Sequence, residues 1–127
     1  MPRVRIETTE QLSSEAATAL MNDVTGVMVE TFGLASDDRT VSFTSYPPGM
    51  FLMKPPYCLF IEILLFRGRS TAVKKKFYRA LVTAIEKKHA IPPERIMIVL
   101  NEQPRENWAL RGGIAADEID FDYTITI

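Results

Sequence analysis

The sequence is poor in cysteine, histidine and tryptophan, with one of each among 127 residues. The lone cysteine, Cys58, cannot close an internal disulfide, and its place in an apolar run marks it as a core residue. One histidine, His89, builds no Cys/His cluster, and HExxH, Walker A and GxGxxG patterns are all missing, so no metal, nucleotide or other cofactor is expected. An excess of one charge is lacking as well. Fifteen basic and sixteen acidic side chains leave a formal net charge of −1, which gives no support to a nucleic-acid partner. Apolar runs stay under ten residues, too short to cross a bilayer. The first residues, with Arg3 and Arg5 among polar neighbours, have no signal-peptide core. A soluble, cytoplasmic protein without membrane contact is the expectation.

What is present is a twofold pattern. The strand signal Arg3 to Thr8 puts Val4 and Ile6 on one face. Ser13, Ser14 and Glu15 open a helix in which Ala17, Leu20, Met21, Val24, Val27, Met28 and Thr31 recur at helical spacing, with Gly33 as its C-cap. Thr40 to Tyr46 alternates as a second strand. Prolines 47, 48, 55 and 56 then bracket a loop. The order repeats about 57 residues later: a central apolar strand from Cys58 to Phe66, a helix capped by Ser70 or Thr71, a turn at Pro92-Pro93-Glu94, and a strand from Arg95 to Leu100. In the second helix Val73, Phe77, Leu81, Ala84 and Ile85 form one face. Lys74, Lys75, Lys76, Lys87 and Lys88 lie largely on the other, which reads as a solvated surface. The expected fold is therefore α/β. A single domain over residues 1–127 has two parallel βαβ halves, about 2–46 and 58–100, giving a four-stranded sheet with two helices on one face. In the tail, 101–127, Glu106 to Gly113 reads as irregular. Ile119 to Ile127 alternates strictly and predicts an edge strand that pairs with a neighbouring subunit, making the protein an oligomer.

Few residues are equipped for chemistry. Pro2 follows the initiator methionine; once that methionine is removed, it is a rigid secondary amine whose pKa starts near ~8, within reach of either side of neutral pH. A retained Met1 makes it an amide and removes this chemistry. Arg67 and Arg69 end the central strand before the second helix, a favoured place for anions, and residues two apart on a strand share a face. Their rigid forks suit a carboxylate; the alternative is two solvated arginines in a turn. Asp37-Asp38-Arg39 enters the second strand, either as a polar loop with a local Asp–Arg pair or with Asp38 beside the Pro2 amine. A carboxylate there raises the amine pKa, whereas arginines and burial lower it. His89, at a helix C-terminus, fits a capping role. Trp108 fits a pocket wall or the core.

Pro2, the duplicated βαβ unit, Asp38 and Arg67-Gly68-Arg69 together resemble the tautomerase superfamily. The pattern Phe32-Gly33, Asp38-Arg39, Arg67-Gly68-Arg69-Ser70, Lys74, Phe77-Tyr78, Asn101-Glu102 and Trp108 is most similar to its malonate semialdehyde decarboxylase branch. The resemblance implies a cofactor-independent homotrimer acting on a short oxo-carboxylate, with a cationic Pro2 as the catalytic amine and Asp38 supporting it. Arg67 and Arg69 hold the substrate carboxylate, and Trp108 belongs to the binding site. Decarboxylation or hydration of a 3-oxo acid such as malonate semialdehyde is the implied reaction. The alternatives are keto–enol tautomerisation with neutral Pro2 as base and a non-catalytic oligomeric binding protein. After Trp108 the chain departs from the branch: Ala109-Leu110-Arg111-Gly112-Gly113 replaces an aromatic, glycine-rich continuation, and Arg111 offers a third cation for a larger or dianionic substrate.

Overall fold

The computed structural model describes residues 2–121 and 124–127. Its first strand, β1 (Arg3–Thr8), buries Val4, Ile6 and Thr8 on one face and turns Arg3, Arg5 and Glu7 to the other. Helix α1 (Ser14–Phe32) begins where the Ser13 hydroxyl accepts from the Ala16 N–H, satisfying one of the orphan donors of the first turn. It stops at Gly33, whose φ of 67° is the left-handed cap geometry that glycine adopts without Cβ strain. Strand β2 (Thr40–Ser45) returns beside β1.

The second half repeats the plan with longer strands: β3 (Leu59–Phe66), α2 (Thr71–His89) and β4 (Ile96–Gln103), the last entered through a single 3-10 turn at Pro93–Arg95. Ser70 caps α2 by accepting from the Val73 N–H. His89 does not cap carbonyls as its position suggested. Its Nε2 lies 2.7 Å from Oδ2 of Asp23, tying the end of α2 to α1.

The sheet order is β2-β1-β3-β4; β1/β2 and β3/β4 are parallel, and the two halves join through the antiparallel pair β1/β3. Both helices cover one face. Leu20, Val24 and Met28 of α1 and Phe77, Leu81 and Ile85 of α2 meet Val4, Ile6, Ile61 and Ile63 of the sheet, all with almost no exposure. Full burial of such a side chain contributes about 1.5–3 kcal/mol, so this layer is the main source of stability. The other sheet face is mixed. Arg5 pairs with Glu62 at 3.4 Å and Arg3 donates to Ser42 at 3.0 Å, while Val99 is 39 % exposed.

The tail departs from the expectation. Arg105–Asn107 is a 3-10 turn, and Ala109–Leu110 (β5) pairs with Ile114–Ala115 (β6) in a short hairpin where irregular chain was anticipated. Its turn, Arg111-Gly112-Gly113, has positive φ at all three residues. Strands of two residues are too short to show periodicity, which is why the sequence concealed them. The expected strand Ile119–Ile127 is not formed among its described members: residues 119–121 and 124–127 have no regular secondary structure. Asp122 and Tyr123 of that stretch lie outside the described residues. Within the chain the tail reaches the arginine loop, where the Ile127 N–H donates to the Gly68 carbonyl at 3.1 Å. An alternating pattern fixes which side chains share a face, but the ladder partner decides whether a strand forms.

Candidate active site

The antiparallel join sets the geometry of the site. Arg3 is paired with Thr40 on one side and with Leu64 on the other. Pro2 therefore lies where β2 begins and β3 finishes. Asp38 and Arg39 immediately precede Thr40, and Arg67-Gly68-Arg69 follow β3. Across the next ladder Leu65 is paired with Glu102 and Phe66 with Gln103. Four segments remote in sequence meet at one end of the sheet, beside the N-terminus of α2 and the C-terminus of α1. That placement gathers Pro2, Asp38, Arg67 and Arg69 at a single rim.

The members of this rim are not equivalent. Pro2 is buried. Asp38 is half-buried, its N–H donating to the Ala35 carbonyl, whereas Asp37 is exposed. Of the two carboxylates, Asp38 faces the protein and Asp37 the solvent. Arg39 does not make the local Asp–Arg pair that the sequence allowed. It donates to Asn22 Oδ1 at 2.6 Å and to Thr25 Oγ1 at 3.1 Å, locking the β2 entry onto α1.

Strand β3 ends at Phe66, so Arg67 and Arg69 stand on a loop rather than on a strand, and their environments differ. Arg67 is exposed, with its backbone N–H donating to the Gln103 carbonyl. Arg69 is 6 % exposed: Nη1 donates to the Phe66 carbonyl at 2.9 Å, and the guanidinium lies 5.1 Å from the Phe32 ring centroid. A cation in so dry a place interacts with an incoming carboxylate through a lower effective dielectric than a surface arginine does.

Trp108 is half-buried and meets the Phe66 ring edge-on at 5.4 Å; its indole Nε1 is buried without a hydrogen-bond partner among the described residues. Phe121 packs on the same Phe66 ring at 5.2 Å. Arg111 lies over Phe121, 6.0 Å from its centroid, and Arg105 lies over that ring at 5.1 Å.

Sequence reasoning gave no role to the ion pair between Lys74, in the first turn of α2, and Glu102, at the end of β4. One Glu102 oxygen is held by Lys74, and the other is buried without a partner among the described residues. Only the β3/β4 register shows that these residues meet; their separation carries no local signal.

Elsewhere, two titratable groups are perturbed. Burial pushes the Cys58 thiol up, away from thiolate reactivity. Tyr46 is raised chiefly by its hydrogen bond to Glu7, at 2.7 Å. Among the described residues no group of three or more His, Cys, Asp or Glu side chains could hold a metal ion, and no helix is long and apolar enough to cross a membrane.

Two family models, each described as tautomerase enzyme, match the chain, one over residues 2–58 and the other over 46–111. The chain belongs to the tautomerase family. Among solved structures it is similar to malonate semialdehyde decarboxylase, at 23% identity and a TM-score of 0.77, over 87% of this chain and 92% of that one. It is similar to native fused 4-OT at 18% identity and a TM-score of 0.82, over 92% and 98% of the two chains. It is also similar to macrophage migration inhibitory factor of Toxoplasma gondii, at 19% identity and a TM-score of 0.71, over 87% and 96%. At these identities the shared property is the fold. No curated protein matches the sequence.

Proposed function

We propose that this tautomerase-family chain is a cofactor-independent enzyme that uses Pro2, freed by removal of Met1, on a short oxo-carboxylate. The observation that carries the reading is the register of β1, which brings Pro2 to the same rim as Arg67 and Arg69. A protonated secondary amine supplies N–H donors to a carbonyl oxygen, and the arginines supply a fork for a carboxylate.

For a 3-oxo acid such as malonate semialdehyde, Arg67 and Arg69 would orient the carboxylate and Pro2 would hydrogen-bond the C3 carbonyl. The breaking C–C bond would leave its electron pair on an enolate, stabilised at oxygen by Pro2, as carbon dioxide departs. A proton delivered to C2 completes the reaction. Asp38 would keep Pro2 in its charged form, and Trp108 would wall the site against Phe66. Orientation and electrostatics would supply most of the rate. Support for this reaction class comes from the similar malonate semialdehyde decarboxylase, which is described as having decarboxylase and hydratase activities.

The same reading makes the protein a cytoplasmic homo-oligomer, with three subunits as in the symmetric trimer described for fused 4-OT. The sheet face left open by the helices, with Val99 exposed beside the Arg5–Glu62 pair, is the surface such an assembly would cover.

The test is intact-mass analysis of untagged protein before and after 3-bromopropiolate, with peptide mapping and a turnover assay on malonate semialdehyde. The expected result is a mass lacking methionine, one adduct on Pro2 and a rate that falls as pH rises through the proline pKa. A rate that instead falls as pH drops would assign Pro2 as the base of a keto–enol tautomerase. Retained methionine with no turnover would leave a binding protein of the same fold.

A further inference from the structure

The C-terminal tail touches the arginine loop at its tightest point. Gly68, between the two arginines, has a φ of 144°, a conformation L side chains rarely adopt. A Cβ built there would lie 3.0 Å from both Cγ2 and the carbonyl oxygen of Ile125. The Gly68 carbonyl is occupied as well, accepting from the Ile127 N–H.

The tail is anchored before it arrives there. Arg105 Nη2 donates to the carbonyls of Ala116 and Ile119, and its guanidinium lies over Phe121. Phe121 packs on Phe66, whose carbonyl in turn accepts from Arg69. The loop 67–69 is thus held on one side by β4, through Arg67 N–H and the Gln103 carbonyl, and on the other by residues 125 and 127.

We infer that Ile125 and Ile127 are positioning residues: seated on Gly68, they hold the Arg67–Arg69 loop in the geometry that receives a carboxylate. This rests on the reading of the two arginines as the carboxylate fork. It gives the alternating tail a role within its own subunit, in place of the intersubunit strand its sequence suggested. The contact also explains the glycine at position 68, since a side chain there would evict the tail.

The experiment compares the full chain, a chain ending at Thr124, and Ile125→Ala, each checked as folded by circular dichroism and sized by light scattering. Malonate affinity is measured by calorimetry, and Pro2 labelling by the neutral alkynone 3-butyn-2-one is measured separately. Shortening the chain is expected to weaken malonate binding roughly ten- to a hundredfold, the scale of one misplaced charge-assisted hydrogen bond. Ile125→Ala would show a smaller change in the same direction, and alkynone labelling of Pro2 would be unchanged in both. Unaltered malonate affinity in both folded variants overturns the inference, as does loss of the oligomer on shortening, which would return the tail to a neighbour. Failure of the underlying reading looks different: a full-length chain that does not bind malonate, or that binds it with an unreactive Pro2.

Discussion

The two ends of the sheet are related by the antiparallel pairing of β1 with β3, yet they carry different side chains. The ladder pairs Arg3 with Leu64 at one end and Thr8 with Leu59 at the other, so the residue before β1 and the residue before β3 occupy matching places. At one end that residue is Pro2, and the strand-to-helix loop beside it carries Arg67 and Arg69. At the other it is Cys58, and the adjoining loop carries Thr9, Glu10 and Gln11. The Cys58 carbonyl accepts from Thr8 Oγ1 at 2.7 Å and from the Thr9 N–H at 3.1 Å. Gln11 and Tyr46 close the neighbourhood, with Gln11 Nε2 donating to the Tyr46 carbonyl. One end holds the buried Pro2 next to the loop of Arg67 and Arg69; the other is a hydrogen-bond knot around a raised thiol. The repeated βαβ unit thus yields two comparable rims that differ in their side-chain chemistry.

Substitutions at the two ends should separate them sharply. The largest effect is expected for Pro2→Ala, which should lower kcat/KM about 10²–10⁴-fold if Pro2 is the acid or base. Cys58→Ala, its counterpart, should leave turnover unchanged; comparable losses from both would abolish the distinction. Next comes Arg69→Ala, expected to raise KM roughly ten- to a hundredfold with the fold intact, since a buried charge-assisted contact to substrate is lost. Arg67→Ala, on the exposed side, should cost less, and steady-state kinetics with malonate semialdehyde would rank the two.

At the quiet end the consequences are for stability. Thr8→Val removes the hydroxyl bond to Cys58 and should cost about 1 kcal/mol in urea denaturation without touching activity. A smaller effect follows from Cys58 and Tyr46, acids held above their ordinary values of 9.0 and 10.0. Their protonated forms favour the folded state, so this contribution is complete at neutral pH and fades as pH rises beyond those values. Stability should therefore be level near pH 7 and decline only as pH rises above 9.0, and iodoacetamide should alkylate Cys58 slowly until denaturant is added. Smallest of all, Lys88→Ala removes an exposed partner of Asp23 and should change stability by about 0–1 kcal/mol.

The halves, the helices and their serine caps were legible in the sequence because each follows a local rule: period two, period 3.6, a serine before the first turn, a glycine after the last. Ala90 escaped such a rule; it closes α2 with φ 56°, a position where glycine is the usual signal. The rim was legible only as residue types. Pro2, Asp38, Arg67, Arg69 and Trp108 could be singled out, but the unequal burial of the arginines depends on where β3 stops. The turning of Arg39 toward α1 depends on helix–sheet packing, and the Lys74–Glu102 pair depends on β3/β4 register. The tail shows the limit most plainly. Its alternation from Ile119 to Ile127 is as strict as that of β1, yet within this chain β1 has two ladder partners and the described tail residues have none.

The join between the halves has an engineering consequence. Residues 46–58 are their sole covalent connection, and within that loop Met50 and Leu52 are 68 % and 88 % exposed. A break there would yield two fragments, each with an incomplete core, that recover it only by re-forming the β1/β3 ladder. Because one fragment carries Pro2 and the other Arg67 and Arg69, any catalytic signal would report their association. The molecule already has the layout of a complementation sensor.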